Sequence, residues 1–218
     1  MKTSDKIFIA QDNVTLCVKR CGELSTHTGF IECRERNEGI VIDAPFGAFA
    51  MSKSVFHPDT KVIALLLTHG HWDHVGDAIL FHDNGTRVFA HHDDRWLVEH
   101  ADAMGSFVMT ENKLLGCPVD EEIDHDGILE ICSWLTIFCQ GVPGHAAGDA
   151  TFYLPALRTA FVGDTLFKGC IGRYDLPGGN RKLLIDSIRQ KLLTLPPDTI
   201  VVPGHGEWTT VSDEQKNF

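Results

Sequence analysis

The segment LLLTHGHWDHVG, residues 65–76, sets three histidines and an aspartate within six positions, at the end of an apolar run. Three other places repeat the arrangement with a single candidate ligand each: His145 in VPGHAAGD, Asp164 in FVGDTLF and His205 in VPGHGEW. Each follows a short apolar stretch, and each has a glycine beside it. Glycine allows sharp turns and close backbone approach, and loops at the ends of sheet strands are where binding groups gather. Imidazole and carboxylate together suit Zn, Fe or Mn. Five histidines and two aspartates exceed the needs of one tetrahedral ion. Two ions divide them well, with His69, His71 and His145 on one, Asp73, His74 and His205 on the other, and Asp164 between. Two cations roughly 3.5–4 Å apart hold a bridging hydroxide and polarise a carbonyl oxygen. A lone histidine is ordinarily a surface or hydrogen-bonded residue, and His27, His57, His82, His91, His92, His100 and His125 take that reading.

Strands must present these groups. Alternating apolar segments at 7–10, 14–18, 29–33 and 39–43 read as an antiparallel meander. Residues 61–67 read as a strand buried on both faces, 73–81 as a short helix, 87–90 as a strand and 93–100 as a helical turn. A loop-rich excursion is expected over 101–126. Strands resume at 128–131, 135–139, 150–153, 159–162 and 200–202, and a helix spans 180–193 with Asn180 as its N-cap. The sum is a mixed α/β chain with two sheets, read as a single domain over 1–218.

Composition narrows the partners. The 218 residues are 43% hydrophobic, enough for a sizeable core, and the net charge of −11 argues against nucleic acid or an anionic membrane. The longest apolar run, 62–67, is too short to span a bilayer. Seven cysteines, none in a CxxC pair, fit reduced thiols in a cytoplasmic protein better than a disulfide framework.

THGHWDHVG resembles the signature of the metallo-β-lactamase superfamily, and VIDAP, VPGHAAGD, GDTLFKGCIGRYDLPGGN and VPGHGEWTT follow in that family's order. The resemblance implies a four-layer αββα sandwich with a metal site at one edge of two sheets. It is strongest to short glyoxalase II-like hydrolases, also called hydroxyacylglutathione hydrolases, with residues 163–180 the most specific sign. It implies His69, His71, Asp73, His74, His145, Asp164 and His205 as ligands of two divalent ions, zinc first and iron or manganese as alternatives. The implied reaction is hydrolysis of a small-molecule thioester or ester by a metal-bridging hydroxide, with Asp73 also orienting the nucleophile. Asp43 is expected behind the ligands, and Lys168, Arg173 and Tyr174 beside the substrate. Alternatively Asp43 closes a strand and Arg173 pairs with Asp175. Trp72 is expected to pack behind its loop, and Cys170 to be a small packing residue. The β-lactamases proper carry Cys at the Asp164 position and lack the second histidine of the first motif, so β-lactam hydrolysis is not expected. The resemblance implies that longer relatives bind glutathione partly through a C-terminal helical domain; none is expected after the last motif here, which leaves the thiol open. The rival readings are a lactonase or other esterase, a mononuclear-iron persulfide dioxygenase, and a metal-binding protein without turnover. The dioxygenases share GCGR, where this chain has GCIGR with Ile171 added.

Overall fold

A computed structural model of the chain describes residues 6–9, 14–124 and 126–218. The first sheet has seven strands in sequence order. Strands β1 (Lys6–Ile9), β2 (Val14–Cys21), β3 (Thr26–Cys33) and β4 (Glu38–Ile42) form an antiparallel meander. After helix α1 (Ala48–Val55), strand β5 (Lys61–Leu66) pairs parallel to β4. Helices α2 (Trp72–Val75) and α3 (Ala78–Asp83) lead to β6 (Arg87–His91), which is parallel to β5. Helix α4 (Arg95–Glu99) and a 3-10 segment (Ala101–Phe107) precede the edge strand β7 (Glu121–Ile123). Ile40–Ile42 of β4 and Ala64–Leu66 of β5 are fully buried. Burying each large aliphatic side chain contributes about 1.5–3 kcal/mol, so the strand that delivers the first motif is firmly held.

The second sheet has six strands. They are β8 (Gly127–Ile128), β9 (Phe138–Gly141), β10 (Ala150–Leu154), β11 (Thr159–Phe161), β14 (Ile200–Val202) and β15 (Thr209–Thr210). Between β11 and β14 come the hairpin β12 (Leu166–Phe167) and β13 (Cys170–Ile171), and helix α5 (Arg181–Gln190). Helix α6 (Val211–Glu214) follows β15. Asn180 caps α5 by accepting from Leu183 N at 3.1 Å, as the sequence predicts. Leu184, Ile188 and Leu192 pack with Val142, Ala160, Val162, Leu166, Val201 and Val211. The chain divides into two compact units, one carrying most of the first sheet and the other the second.

The helix expected over 73–81 is interrupted. α2 stops at Val75, and the Asp77 amide leaves the helical pattern to donate to Ala44 O at 2.8 Å. Asp77 then turns its side chain to accept Phe49 N of α1 at 3.0 Å, and α3 begins at Ala78. The 135–139 strand is shifted: Leu135 and Ile137 are buried as predicted, but the ladder runs from Phe138 to Gly141. Leu183 is 43% exposed and lies off the buried face of α5. The 7–10 strand is β1 up to Ile9; Ala10 and His125 lie outside the described residues. No helix among the described residues is long and apolar enough to cross a membrane.

Candidate metal centre

Strand β5 delivers the first motif. Leu67 N still donates to Phe89 O at 3.0 Å, and then the chain leaves the sheet. Gly70 N donates to the Asp94 carboxylate at 2.7 Å, and Thr68 O accepts Ala150 N at 2.7 Å. His71 stands at the start of the four-residue helix α2, whose first turn carries Asp73 and His74. One short turn is sufficient to place these side chains together. Trp72 is buried behind them.

The other polar residues leave the second sheet. His145 N and Ala146 N both donate to Asp149 Oδ2, at 2.9 and 2.6 Å. Gly148 N donates to Asp94 Oδ1 at 2.7 Å, so one carboxylate grips the loop of His69 and the loop of His145. Asp164 follows Gly163, whose φ of 51° and approach to Thr68 suit no side chain; a Cβ there would sit 2.7 Å from Thr68 Oγ1. His205 follows Gly204, whose N donates to Gly163 O at 2.7 Å.

These placements yield three groups in which one donor atom per residue lies within 4.8 Å of the others: His69, His71 and His145; Asp73, His74 and His205; and His69, His74 and Asp164. His69, His71, Asp73, His74 and His145 are buried. Each of the seven residues named from the sequence falls in at least one of these groups.

Their orientation is set from behind. His74 Nδ1 meets Asp43 Oδ2 at 2.9 Å, His145 Nδ1 meets Arg173 O at 2.8 Å, and His69 Nδ1 meets Thr68 Oγ1 at 3.1 Å. Each contact uses Nδ1 and directs Nε2 to the cluster. His74 Nε2 lies 3.7 Å from Asp73 Oδ2, and Asp164 Oδ2 lies 3.8 Å from His145 Nε2 and 3.5 Å from His205 Nε2. Two donors each about 2.1 Å from one tetrahedral ion sit roughly 3.4 Å apart, which these spacings approach. The charge balance agrees. Asp43, Asp73, Asp94 and Asp149 are buried, whereas no Lys or Arg is buried among the described residues. Burial pushes the Asp149 carboxyl well above the usual range, the nearby Asp94 adding to it, and burial likewise raises Asp94. Imidazole nitrogens and carboxylate oxygens grouped in this way are a donor set that fits divalent cations.

Asp43 occupies both positions expected of it. It directly follows β4 in the left-handed region, φ 58°, and its side chain meets His74 Nδ1. Thr26 Oγ1 approaches Asp73 Oδ2 at 3.4 Å. Lys168 and Arg173 already hold carboxylates: Lys168 Nζ meets Glu207 at 2.5 Å, and Arg173 forms a fork with Asp175 at 2.9 Å on both arms. Tyr174 is exposed, with the Arg181 guanidinium 6.0 Å from its ring centroid. Cys170 is exposed rather than packed. A fourth group, His91, His92 and Asp93, has a structural explanation: His91 Nδ1 accepts Asp93 N at 3.3 Å and caps a 3-10 turn. His27 is buried and accepts from Arg20 Nε at 3.1 Å. Sequence reasoning gave no role to Asp94 or Asp149. Asp149 had a signal, the one acid closing the Gly-rich VPGHAAGD; Asp94 sits in HHDD, a run that reads as solvated surface.

The family model for the metallo-beta-lactamase superfamily matches residues 21–205. The chain belongs to that superfamily. Among its curated relatives is "Hydroxyacylglutathione hydrolase GloC" of Haemophilus influenzae, 34% identical over 185 residues, covering 84% of this chain and 86% of that one. Among solved structures, "BLEG-1 B3 metallo-beta-lactamase" aligns with a TM-score of 0.82 at 29% identity, over 92% of this chain and 96% of the other. "TTHA1623 in a di-iron-bound form" aligns at 0.75 and 32% identity, over 91% and 96%. The fold is therefore the metallo-β-lactamase fold, and the chain is a metallo-hydrolase of that superfamily whose His and Asp clusters can hold metal ions.

Proposed function

We propose that this metallo-hydrolase is a dinuclear thioester hydrolase of the glyoxalase II type. The observation that carries the dinuclear reading is the position of Asp164: one carboxylate oxygen stands 3.8 Å from His145 Nε2 and 3.5 Å from His205 Nε2, histidines of two different donor groups. The di-iron form of a 32% identical neighbour supports it, and the hydroxyacylglutathione hydrolase relative supports the substrate class.

His69, His71 and His145 would hold one ion, Asp73, His74 and His205 the other, with Asp164 common to both. Such ions, zinc first by donor type, would act as Lewis acids on a carbonyl and bring the pKa of bound water from 15.7 towards about 7. The chain's own groups do the rest. Asp43 fixes the tautomer and direction of His74, and the Arg173 carbonyl does so for His145. Asp73, steadied by Thr26, accepts a hydrogen bond from the attacking water and so aims it. A thiolate leaves without help from a strong general acid. We place the reaction in the cytoplasm on a small-molecule thioester.

A second reading, β-lactam hydrolysis, is favoured by the likeness to a B3 metallo-beta-lactamase. One experiment ranks them: metal counted per chain, then the loaded protein assayed on S-lactoylglutathione, other thioesters, lactones and a chromogenic cephalosporin. Two ions with fastest turnover on thioesters is the expected result. One iron per chain with oxygen uptake would replace hydrolysis by dioxygenation, and a cephalosporin or lactone preference would replace the substrate class.

A further inference from the structure

Asp164 and His205 reach the cluster from separate loops, yet three ties join those loops. The first is the backbone bond from Gly204 N to Gly163 O, 2.7 Å. The second is the exposed pair of Lys168, in the turn between β12 and β13, with Glu207, two residues beyond His205. The third is buried. Glu214 is 1% exposed, and both of its oxygens accept Gly169 N in that same turn, at 3.2 and 3.1 Å. It also accepts Thr209 Oγ1 at 2.6 Å, at the start of β15, and Asn217 Nδ2 at 2.9 Å.

The element bearing Glu214 is anchored. Val211 of α6 is fully buried in the cluster with Leu184, Ile188 and Leu192. Val211 N donates to Thr199 O at 3.0 Å, Ser212 N to Pro197 O at 2.9 Å, and Thr210 caps the helix from Asp213 N at 3.2 Å. A carboxylate accepting several hydrogen bonds from a fixed base is a rigid staple, since charge-assisted bonds are the stronger kind. A binding constellation needs its donors held to within about 0.5 Å by such support.

We propose that Glu214 is a positioning residue. Its carboxylate, together with the outer Lys168–Glu207 pair, locks the Asp164 hairpin and the His205 loop into one block and fixes the separation of the two ligands. The consequence for metal rests on the dinuclear reading above; the lock itself does not. Glu214→Gln retains an acceptor for Gly169 N and Thr209, so it separates the staple from the charge.

Calorimetric zinc titration of the full-length wild type, Glu214→Ala and Glu214→Gln tests the consequence. A partner bonded directly to a ligand is worth about 10–100-fold in metal affinity. Glu214 acts one step further out, through Gly169 and Thr209, so its loss should cost about tenfold, the lower end of that range. That drop is expected for the second equivalent in Glu214→Ala, with the first retained and with rescue in Glu214→Gln. Amide hydrogen exchange on the same proteins with metal stripped by chelator tests the lock: residues 164–172 and 203–209 should exchange faster together in Glu214→Ala and return to wild-type rates in Glu214→Gln. If Glu214→Ala does not fold, Thr209→Val, which removes one bond of the staple, is read in the same two ways with smaller changes in the same direction. Wild-type exchange in both segments of a folded variant overturns the proposal. Fewer than two zinc ions on the wild type overturns the dinuclear reading instead, and the exchange result still decides the lock.

Discussion

His74 and His145 are both buried, and both are held through Nδ1, but by different acceptors. His74 is held by the carboxylate of Asp43, at the end of a buried strand. His145 is held by a backbone carbonyl, that of Arg173, while the acids of its neighbourhood, Asp149 and Asp94, are turned on amides of the chain. In one region an acid orients the ligand side chain. In the other, acids shape the loop and a peptide group orients the side chain. A carboxylate fixes the tautomer and also makes the imidazole more basic, whereas a carbonyl chiefly fixes the tautomer. The contrast predicts that loss of charge matters for affinity on the His74 side and for folding of the loop on the His145 side.

The largest effect falls on the residue shared by both regions. Asp164→Ala is expected to lose tight binding of both ions and to lower turnover by more than the about 10–100-fold typical of an outer partner. Metal analysis after dialysis, followed by thioester assay, checks it. Retention of two tight ions would show that the two histidine groups stand alone.

Next comes the loop. Asp149→Ala leaves His145 N and Ala146 N buried without their acceptor, at about 1–3 kcal/mol each. A fall in stability of roughly 2–6 kcal/mol by denaturant unfolding is expected, and Asp149→Asn, which keeps an acceptor oxygen, should recover most of it. If Asn is as damaging as Ala, the charge and not the bonds is what Asp149 contributes, and the contrast with Asp43 disappears.

What the sequence disclosed follows the same line. The candidate ligand positions were legible because His69, His71, His145, Asp164 and His205 are metal-donor residues next to glycine after an apolar run, with Asp73 and His74 following His71 within three residues, a pattern local enough to read. The central strands were legible from the continuous apolar stretch at 61–67. Helix α1 was not, because Gly47 enters it in a left-handed conformation without a side-chain cap of its own, and the Phe49 amide is satisfied by Asp77, 28 residues away. The break after α2 involves the Ala44 carbonyl, which takes the Asp77 amide and is distant in the chain from the helix. Asp94 and Glu214 accept amides from segments remote in sequence, and nothing in their local patterns distinguishes them from solvated acids, whereas Asp149 accepts the nearby His145 and Ala146 amides from its place at the end of VPGHAAGD.

On the His74 side the informative change is Asp43→Asn. Asparagine tolerates the left-handed backbone at this position, φ 58°, so strain is not the cause of any effect. The amide oxygen can still accept from Nδ1, but the charge is gone. Affinity for the second ion is expected to drop about tenfold, the lower end of the range for such partners, with little change in unfolding free energy. A metal competition titration reads the first quantity and chemical denaturation the second. An equal loss in stability would place Asp43 with Asp149, as a group that holds the chain.

The smallest effect is expected at Arg173, and it separates two roles for one residue. Its carbonyl, which Ala retains, is the part that meets His145, at 2.8 Å. Its side chain is spent on Asp175 at the surface, where solvent and salt screen the pair. Arg173→Ala should therefore leave metal affinity and kcat nearly unchanged. The KM for a carboxylate-bearing thioester decides what remains. An unchanged KM means the guanidinium only steadies its own loop. A rise in KM with kcat preserved means that in the complex it leaves Asp175 for the substrate, since such a split marks a contact made equally in ground and transition states; the residue would then serve binding with its side chain and His145 with its backbone.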